Sequence, residues 1–341
     1  MRKQIVLLIS FAALVSTGLF SACTSQETAV EDPGTLVVYS GRNENLVGPL
    51  IERFEAQSGI DVRVRYGDTA ELAAAILEEG ANSPADVFYA QDAGALGALA
   101  QAGMAASLPE DILSLVEPRF RSPEGLWVGV SGRARVVAYN VERVSPEELP
   151  ASILGFTDPE WAGRIGWAPT NGSFQAFVTA LRVVEGEDAA RAWLEGIQAN
   201  DPVVFPNNLT VLEGVADGTV DVGFINHYYL FRKLAEDEAY PVALYFPTGG
   251  DAGALVNVAG VAKLASSTQP DNAEAFIRFL LSEEAQTYFR DQTFEYPLAA
   301  GVEADPRLPP LSSIETPDID LSDLEDLEGT LRLLQEAGVL E

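Results

Sequence analysis

The sequence predicts an α/β protein built from two lobes with a ligand cleft between them. The chain has 341 residues, enough for about two domains of ordinary size. Short apolar segments alternate with amphipathic segments, as in parallel sheets wrapped by helices. The alternation occurs in two successive sets, and each set can form one lobe. Ligands of such sheets bind beyond the carboxyl ends of the strands, beside helix N-termini.

The first set of segments alternates regularly between strand and helix. The predicted strands are residues 36–39, 60–66 and 85–89, and the predicted helices are residues 44–58, 68–80 and 93–102. The first helix presents Val47, Leu50 and Phe54 on one face, and Gly59 ends it. The second helix opens with residues 68–71 (DTAE), which have the spacing of a capping box.

The second set continues the pattern to the C-terminus. The predicted strands are residues 135–139, 164–168, 219–226, 242–246 and 255–264, and helices are predicted after residues 171–173 and over residues 209–217, 271–291 and 321–337. Asn171 and Asn208 are suited to cap the first two helices. The last helix has Leu324, Leu327 and Leu331 at helical spacing.

The N-terminus has the features of an export signal. Arg2 and Lys3 precede an apolar stretch over residues 5–20, and small residues lead to Cys23. Cys23 resembles the lipidated cysteine of a bacterial lipobox, and the alternative is a plain secretory signal with an incidental cysteine. We therefore expect an extracytoplasmic protein, either lipid-anchored at Cys23 to the bacterial cell membrane or periplasmic.

These features divide the chain into four predicted parts. Residues 1–22 form a lipoprotein signal peptide, and residues 23–34 form a polar tether marked by Pro and Gly. The first lobe takes residues 35–134 plus about 258–305. The second lobe takes residues 135–257 plus about 306–341.

Composition excludes several classes of function. The chain has 51 acidic and 21 basic residues and a net charge of −30, which should repel nucleic acid and anionic lipid head groups. It has one histidine, His227, and one cysteine, so zinc or copper sites built from His and Cys clusters are excluded. A Ser–His–Asp triad would depend wholly on His227, and neither a Gly-x-Ser-x-Gly elbow nor a nucleotide-binding glycine motif is present. We expect a protein that is not an enzyme.

Two adjacent tyrosines are the clearest candidate ligands. Tyr228 and Tyr229 follow the strand-like residues 219–226, where a helix begins. A buried phenol needs a partner for its hydroxyl, and a hard trivalent cation such as Fe³⁺ binds two phenolate oxygens. The alternative is an aromatic pair that packs at the mouth of a pocket.

With these residues in view, the chain resembles the ferric-ion-binding periplasmic proteins of iron ABC transporters, from residue 36 to the C-terminus. The resemblance rests on five motifs in the same order and spacing. They are residues 38–42 (VYSGR), 84–89 (PADVFY), 131–139 (SGRARVVAY), 171–174 (NGSF) and 225–229 (INHYY). The resemblance implies a two-lobed class II periplasmic-binding-protein fold that closes on one Fe³⁺.

The resemblance also implies a ligand set. Members that use histidine and glutamate carry them at the positions of Asn43 and Gln91, so both ligands are missing here. Other members use a third tyrosine, which falls on Tyr139. The implied set is therefore of the three-tyrosine type, with Tyr139, Tyr228 and Tyr229 as metal ligands and carbonate or bicarbonate as the synergistic anion.

Positive charge is needed beside a dianion, because three phenolates already balance Fe³⁺. Arg42, between the first strand and the first helix, and Arg133, ahead of the Tyr139 strand, are the predicted anion-binding residues, since an arginine fork fits a planar carbonate. For Arg133 the alternative is a surface ion pair. Asn171, Gly172 and Ser173 form a second candidate anion site at a helix start, where a plain N-cap is the alternative.

The expected function is delivery of Fe³⁺ to an ABC permease and its ATPase by a lipoprotein. Two other hypotheses remain open at this stage. One is the same fold with a different small solute, such as an organic anion or a phosphonate. The other is an envelope enzyme or a structural lipoprotein.

Overall fold

A computed structural model describes residues 34–340 of the chain. The predicted signal peptide, Cys23 and nearly all of the predicted tether lie outside the described residues. Within the described part, no helix combines the length and the apolar character that crossing a bilayer requires.

Eleven strands and eleven helices make up the described region, together with short 3₁₀ turns. The strands are β1 (Thr35–Ser40), β2 (Asp61–Tyr66), β3 (Val87–Ala90), β4 (Ala105–Ala106), β5 (Val128–Asn140), β6 (Ile165–Trp167), β7 (Val203–Val204), β8 (Val222–Asn226), β9 (Val242–Tyr245), β10 (Val256–Leu264) and β11 (Tyr296–Pro297). The helices are α1 (Glu44–Ser58), α2 (Thr69–Glu79), α3 (Ala93–Gln101), α4 (Glu110–Leu113), α5 (Gly172–Glu185), α6 (Glu187–Ala199), α7 (Asn208–Ala216), α8 (Tyr228–Glu236), α9 (Pro270–Leu280), α10 (Glu283–Tyr288) and α11 (Leu327–Glu336).

The strands join in the order β2-β1-β3-β10-β5-β8-β6-β7. The long strand β5 belongs to both halves of this arrangement. The N-terminal part of β5, up to Ala134, pairs with β10 and β11 in the first half of the sheet. The C-terminal part of β5, from Arg135, pairs with β8 and β9 in the second half of the sheet. Strands β1, β2 and β3 are parallel to one another, as are β8, β6 and β7. The helices α1, α2, α3, α5 and α8 therefore begin near carboxyl ends of strands, where the site was expected.

Two close backbone approaches require glycine. Gly41 lies at the corner between β1 and α1, where an added Cβ would overlap Thr69 Oγ1 at the start of α2. Gly94 lies in the first turn of α3, where an added Cβ would overlap the carbonyl oxygen of Leu324. The second contact holds a segment near the C-terminus against the first half of the sheet.

The apolar core is continuous, and a cluster of aromatic rings forms part of it in the second half. The indole of Trp193 packs edge-on against Phe177 with ring centroids 5.3 Å apart, and it contacts Phe174 and Phe224 as well. Its Nε1–H donates to the carbonyl oxygen of Ile153 at 3.0 Å, so the one polar atom of the buried indole is satisfied. This core supports the helices that border the cleft.

Two predicted helices are divided in the structure. The segment predicted as one helix over residues 271–291 forms α9 and α10, because Ser282 ends one helix and caps the next through the N–H of Ala285. The segment predicted over residues 321–337 begins as a 3₁₀ turn, and α11 starts only at Leu327 with Asp326 as its cap. Helix α6 was not predicted.

Candidate metal centre

The tandem tyrosines occupy the first turn of α8, directly after β8. Their rings stack with centroids 4.4 Å apart and planes 28° apart, so the two phenols project in the same direction. Tyr228 is buried and Tyr229 is half-buried. Burial raises the pKa of Tyr228, the neighbouring Tyr229 phenol raises it further, and Arg133 opposes the shift. A cation that bound both oxygens would relieve this unfavourable pairing.

His227 holds the tyrosine pair in place and has no free ring nitrogen. Its Nδ1 accepts from the N–H of Ala134 at 3.1 Å, and its Nε2 lies 2.8 Å from the carbonyl oxygen of Phe294, to which it donates in the neutral ring. Burial lowers the pKa of His227 to about 4, so the ring is neutral at pH 7. The single histidine therefore positions α8 and is not available as a metal ligand.

Two buried arginines of β5 adjoin the tyrosines. Arg133 and Arg135 are two residues apart on a strand, so their side chains leave the same face of the sheet. Arg133 donates to the carbonyl oxygen of Gln91, and its Nε has no hydrogen-bond partner among the described residues. Arg135 donates from Nη1 to Asn226 at 3.3 Å, while its Nη2 has no such partner in the described structure. Each guanidinium thus retains a donor for an additional acceptor.

The electrostatics connect Arg135 to the tyrosine pair. Burial lowers the pKa of Arg135, and the Tyr229 and Tyr228 phenols oppose this shift. Its Nη1 also lies 3.4 Å from Ser173 Oγ at the start of α5, where Asn171 caps the helix. An anion bound here would contact both a guanidinium and a helix N-terminus.

Arg42 is buried and already paired. Its Nη2 donates to both carboxylate oxygens of Glu295, at 2.8 and 2.9 Å. Burial by itself would lower the pKa of Arg42, but the Glu295 carboxylate and the Tyr89 and Tyr228 phenols raise it, so Arg42 stays charged. The side chain is 1% exposed and its Nη2 is occupied by Glu295, but its Nε has no hydrogen-bond partner among the described residues and Arg42 lines the cleft. The assignment of an exogenous anion to Arg42 therefore stays a prediction.

Tyr139 does not lie with the tandem tyrosines. Strands β5 and β8 are antiparallel, with Arg135 opposite Asn226 and Tyr139 opposite Val222. Four residues of strand separate the two levels by roughly 14 Å. Both strands are hydrogen-bonded in the same half of the sheet, so movement between lobes cannot close this gap. The structure thus brings Tyr228 and Tyr229 together and places Tyr139 apart from them, where burial and Glu147 raise the pKa of Tyr139.

A cleft of about 890 Å³ lies beside these residues. Its lining includes the starts of α1, α2, α3 and α5, together with Arg133, Arg135 and Asn226; the two tyrosines themselves are not among the lining residues. Asn43, which caps α1 through the N–H of Asn45, and Gln91, whose backbone carbonyl accepts from Arg133, both line the cleft. No cluster of three or more His, Cys, Asp or Glu suited to a metal occurs in residues 34–340.

Comparison with known proteins identifies the relatives of this chain. Residues 82–323 match the family model described as bacterial extracellular solute-binding protein. The chain belongs to this family. A protein of Serratia marcescens named Fe(3+)-binding periplasmic protein is 35% identical over 96% of this chain and 97% of its own length. The major ferric iron-binding protein of Neisseria meningitidis serogroup B is 34% identical over 94% of this chain and 97% of its own length.

Solved structures of related solute-binding proteins match the fold. Iron-bound HitA from Pseudomonas aeruginosa has a TM-score of 0.83 and 38% identity and covers 90% of this chain and 100% of its own. A Trichodesmium protein in complex with iron and citrate has a TM-score of 0.79 and 31% identity and covers 89% and 99%. The predicted two-lobed periplasmic-binding-protein fold and the predicted family are confirmed. The predicted bounds of the two lobes remain predictions.

Sequence reasoning missed a buried carboxylate beside the candidate site, that of Glu295. Its carboxylate is 2% exposed and accepts from Arg42, from Ser131 Oγ at 2.9 Å and from Thr293 Oγ1 at 3.2 Å. Burial by itself would raise the pKa of Glu295, but Arg42 and Arg133 outweigh it and hold the pKa below its ordinary value. The available signal was a lone carboxylate inside the apolar run around residues 294–298.

Proposed function

We propose that this chain is an extracytoplasmic solute-binding protein that binds Fe³⁺ through the phenolates of Tyr228 and Tyr229 with an exogenous anion, and delivers the ion to an ABC importer. The stacked tyrosine pair beside two buried arginines carries the proposal. Oxygen donors suit a hard trivalent ion, and the metal's charge drives the phenols to phenolates. The names of the Serratia and Neisseria relatives support the choice of ion.

The exogenous anion balances the positive charge that the two tyrosine phenolates leave on Fe³⁺. Fe³⁺ with two phenolates keeps one positive charge and open coordination positions, which a carbonate or bicarbonate ion can fill. We assign the anion to Arg133 and Arg135, because both keep an unpartnered guanidinium nitrogen and both line the cleft. Arg42 meets both conditions too, but it is already paired with the Glu295 carboxylate, so we give the larger role to Arg135, which has no carboxylate partner.

Delivery follows from the class of protein. Solute-binding proteins of this fold close their lobes on a ligand, and we propose that the closed form docks on a permease driven by an ATPase. The proposed lipid anchor at Cys23 would keep the protein at the membrane surface while the tether allows it to reach the permease.

A second candidate function has one observation in its favour. The cleft of about 890 Å³ is far larger than a single metal ion, and arginines and the start of α5 border it. An organic anion or a phosphonate would fit this volume and charge without a metal. Calorimetric titration of the metal-free protein with such anions tests this alternative.

Visible absorption tests the iron proposal. Phenolate-to-Fe³⁺ charge transfer should colour the loaded protein yellow to red, and Tyr228→Phe or Tyr229→Phe should bleach the colour while the far-ultraviolet circular dichroism stays unchanged. Tyr66→Phe is the matched control, because Tyr66 also lines the cleft and is remote in sequence from the pair. Full colour in both tandem variants would refute the assignment.

A further inference from the structure

Glu295 connects three parts of the protein that border the tyrosine site. Residues 293–297 run alongside β5, with Tyr296 opposite Gly132 and Pro297 opposite Ser131. The Glu295 carboxylate reaches across to Arg42 at the corner between β1 and α1. The preceding carbonyl, that of Phe294, binds His227 at the start of α8. One short segment thus links the α1 corner, the centre of β5 and the turn that carries the tyrosines.

The carboxylate is a fixed negative charge within the site. It is buried, and it interacts electrostatically with Arg42 and Arg133 and with the Tyr228 phenol. A buried carboxylate persists only with compensating partners, which Arg42, Ser131 and Thr293 supply here. The charge of Glu295 therefore contributes to the net charge that surrounds a metal ion bound by the tyrosines.

We propose that Glu295 is a positioning residue for the metal site, a built-in counter-anion that holds Arg42 in a buried ion pair at the edge of the cleft and reduces the dependence of iron binding on an exogenous anion. This inference rests on the proposed function, since it concerns the same site. It adds a residue that contacts neither the metal nor the anion and acts through Arg42 and Arg133.

The charge balance gives the direction of the effect. Without an exogenous anion, loading Fe³⁺ onto two phenolates adds one positive charge, which a nearby negative charge favours. With a dianion, loading adds one negative charge, which the same carboxylate opposes. Loss of the Glu295 charge should therefore weaken binding in anion-free buffer and strengthen it with excess anion. The ratio of the iron affinity with excess anion to the iron affinity in anion-free buffer therefore reports the charge of Glu295. A general loss of packing would lower both affinities together and leave this ratio unchanged.

The experiment compares this ratio in the parent and in Glu295→Gln, which keeps the shape of the side chain and removes its charge. Ferric ion is titrated in competition with EDTA at fixed pH, with excess bicarbonate and in bicarbonate-depleted buffer, and binding is followed by visible absorbance. We expect the bicarbonate-dependent ratio to rise by about tenfold, the size of one unit charge acting across a protein interior. An unchanged ratio in the folded variant would overturn the proposal.

Arg42→Met supplies a second test with the opposite sign. It leaves the Glu295 carboxylate without its paired cation, while Arg133, Ser131 and Thr293 remain to stabilise the charged form. The ratio should fall below that of the parent, because Glu295 then offers its charge to the metal alone. If Glu295→Gln does not fold, this variant decides, and an unchanged ratio overturns the proposal.

Asp221→Asn is the matched control. Asp221 also accepts from two arginines, Arg143 at 2.5 Å and Arg164 at 2.6 Å, but it precedes β8 at the end remote from the tyrosines. Its ratio should equal that of the parent, and an equal rise in this control would assign the effect to net charge and overturn the proposal. A parent protein without a visible band in either buffer would refute the proposed iron function itself, and the role of Glu295 with it.

Discussion

Replacement of Tyr139 by phenylalanine separates the ligand set implied by the resemblance from the one that the structure supports. The substitution removes a single hydroxyl. If Tyr139 is a phenolate ligand, its loss should lower the iron affinity by more than about 100-fold, since even residues that only orient a ligand are worth about 10–100-fold. The register of β5 with β8 places Tyr139 level with Val222, roughly 14 Å along the strand from the level of Asn226. At that distance a neutral hydroxyl contributes little, and we expect an affinity within about twofold of the parent.

The assay is competition with EDTA at fixed pH and bicarbonate, read as visible absorbance, with circular dichroism as the test of folding. Tyr229→Phe serves as the matched control, since it removes the same hydroxyl from the stacked pair. We expect loss of colour in this control and full colour in Tyr139→Phe. A folded Tyr139→Phe protein that loses tenfold or more in affinity would refute the argument from strand register.

Three further predictions concern protons and the anion. Burial raises the pKa of Tyr228, and the phenol must lose its proton to bind the metal. Iron affinity should therefore rise about tenfold per pH unit for each proton released, and an affinity that does not change between about pH 6 and 8 would contradict this. The pKa of His227 is about 4 when folded and about 6.5 when unfolded, so its contribution to stability is complete above pH 6.5 and is lost as the pH falls towards 4. His227→Gln should therefore remove up to about 3 kcal/mol of the acid-induced decrease in the free energy of unfolding, measured by urea titration, and equal decreases in both proteins would refute the assignment. Arg135→Gln should lower iron affinity about tenfold in bicarbonate and much less without it, since its unpartnered Nη2 is assigned to the anion; equal losses in both buffers would exclude that role.

The fold could be predicted from the sequence because its signals are local. Helix α1 runs over Glu44–Ser58 as predicted, since its apolar spacing, the Asn43 cap and Gly59 all lie within one short segment. The same holds for α2 behind Asp68 and for the strands of the first half. Where the apolar period continued through a capping serine, at Ser282, the sequence pattern merged two helices into one.

The site could be predicted only in part. The tandem tyrosines are adjacent in the chain, so their proximity needs no tertiary information, and Arg133 lies two residues from the β5 position at which the second half of the sheet begins. Tyr139 was placed in the site by resemblance, which transfers a residue type to a position without testing which residue of the neighbouring strand lies opposite.

The sequence by itself determined the fold class, the family and the tyrosine pair, because the alternation of strand and helix segments, the helix caps and the order of the motifs can be identified from residues that are close together in the chain. Tertiary structure alone decided which charges surround that pair. Arg42 and Glu295 are 253 residues apart in the chain, and only the pairing of β11 with β5 brings them to 2.8 Å. The register of β5 with β8 likewise places Tyr139 apart from the tyrosine pair and Arg135 opposite Asn226, close to it. Register and long-range pairing depend on the packing of the whole sheet, and no local pattern in this chain encodes them.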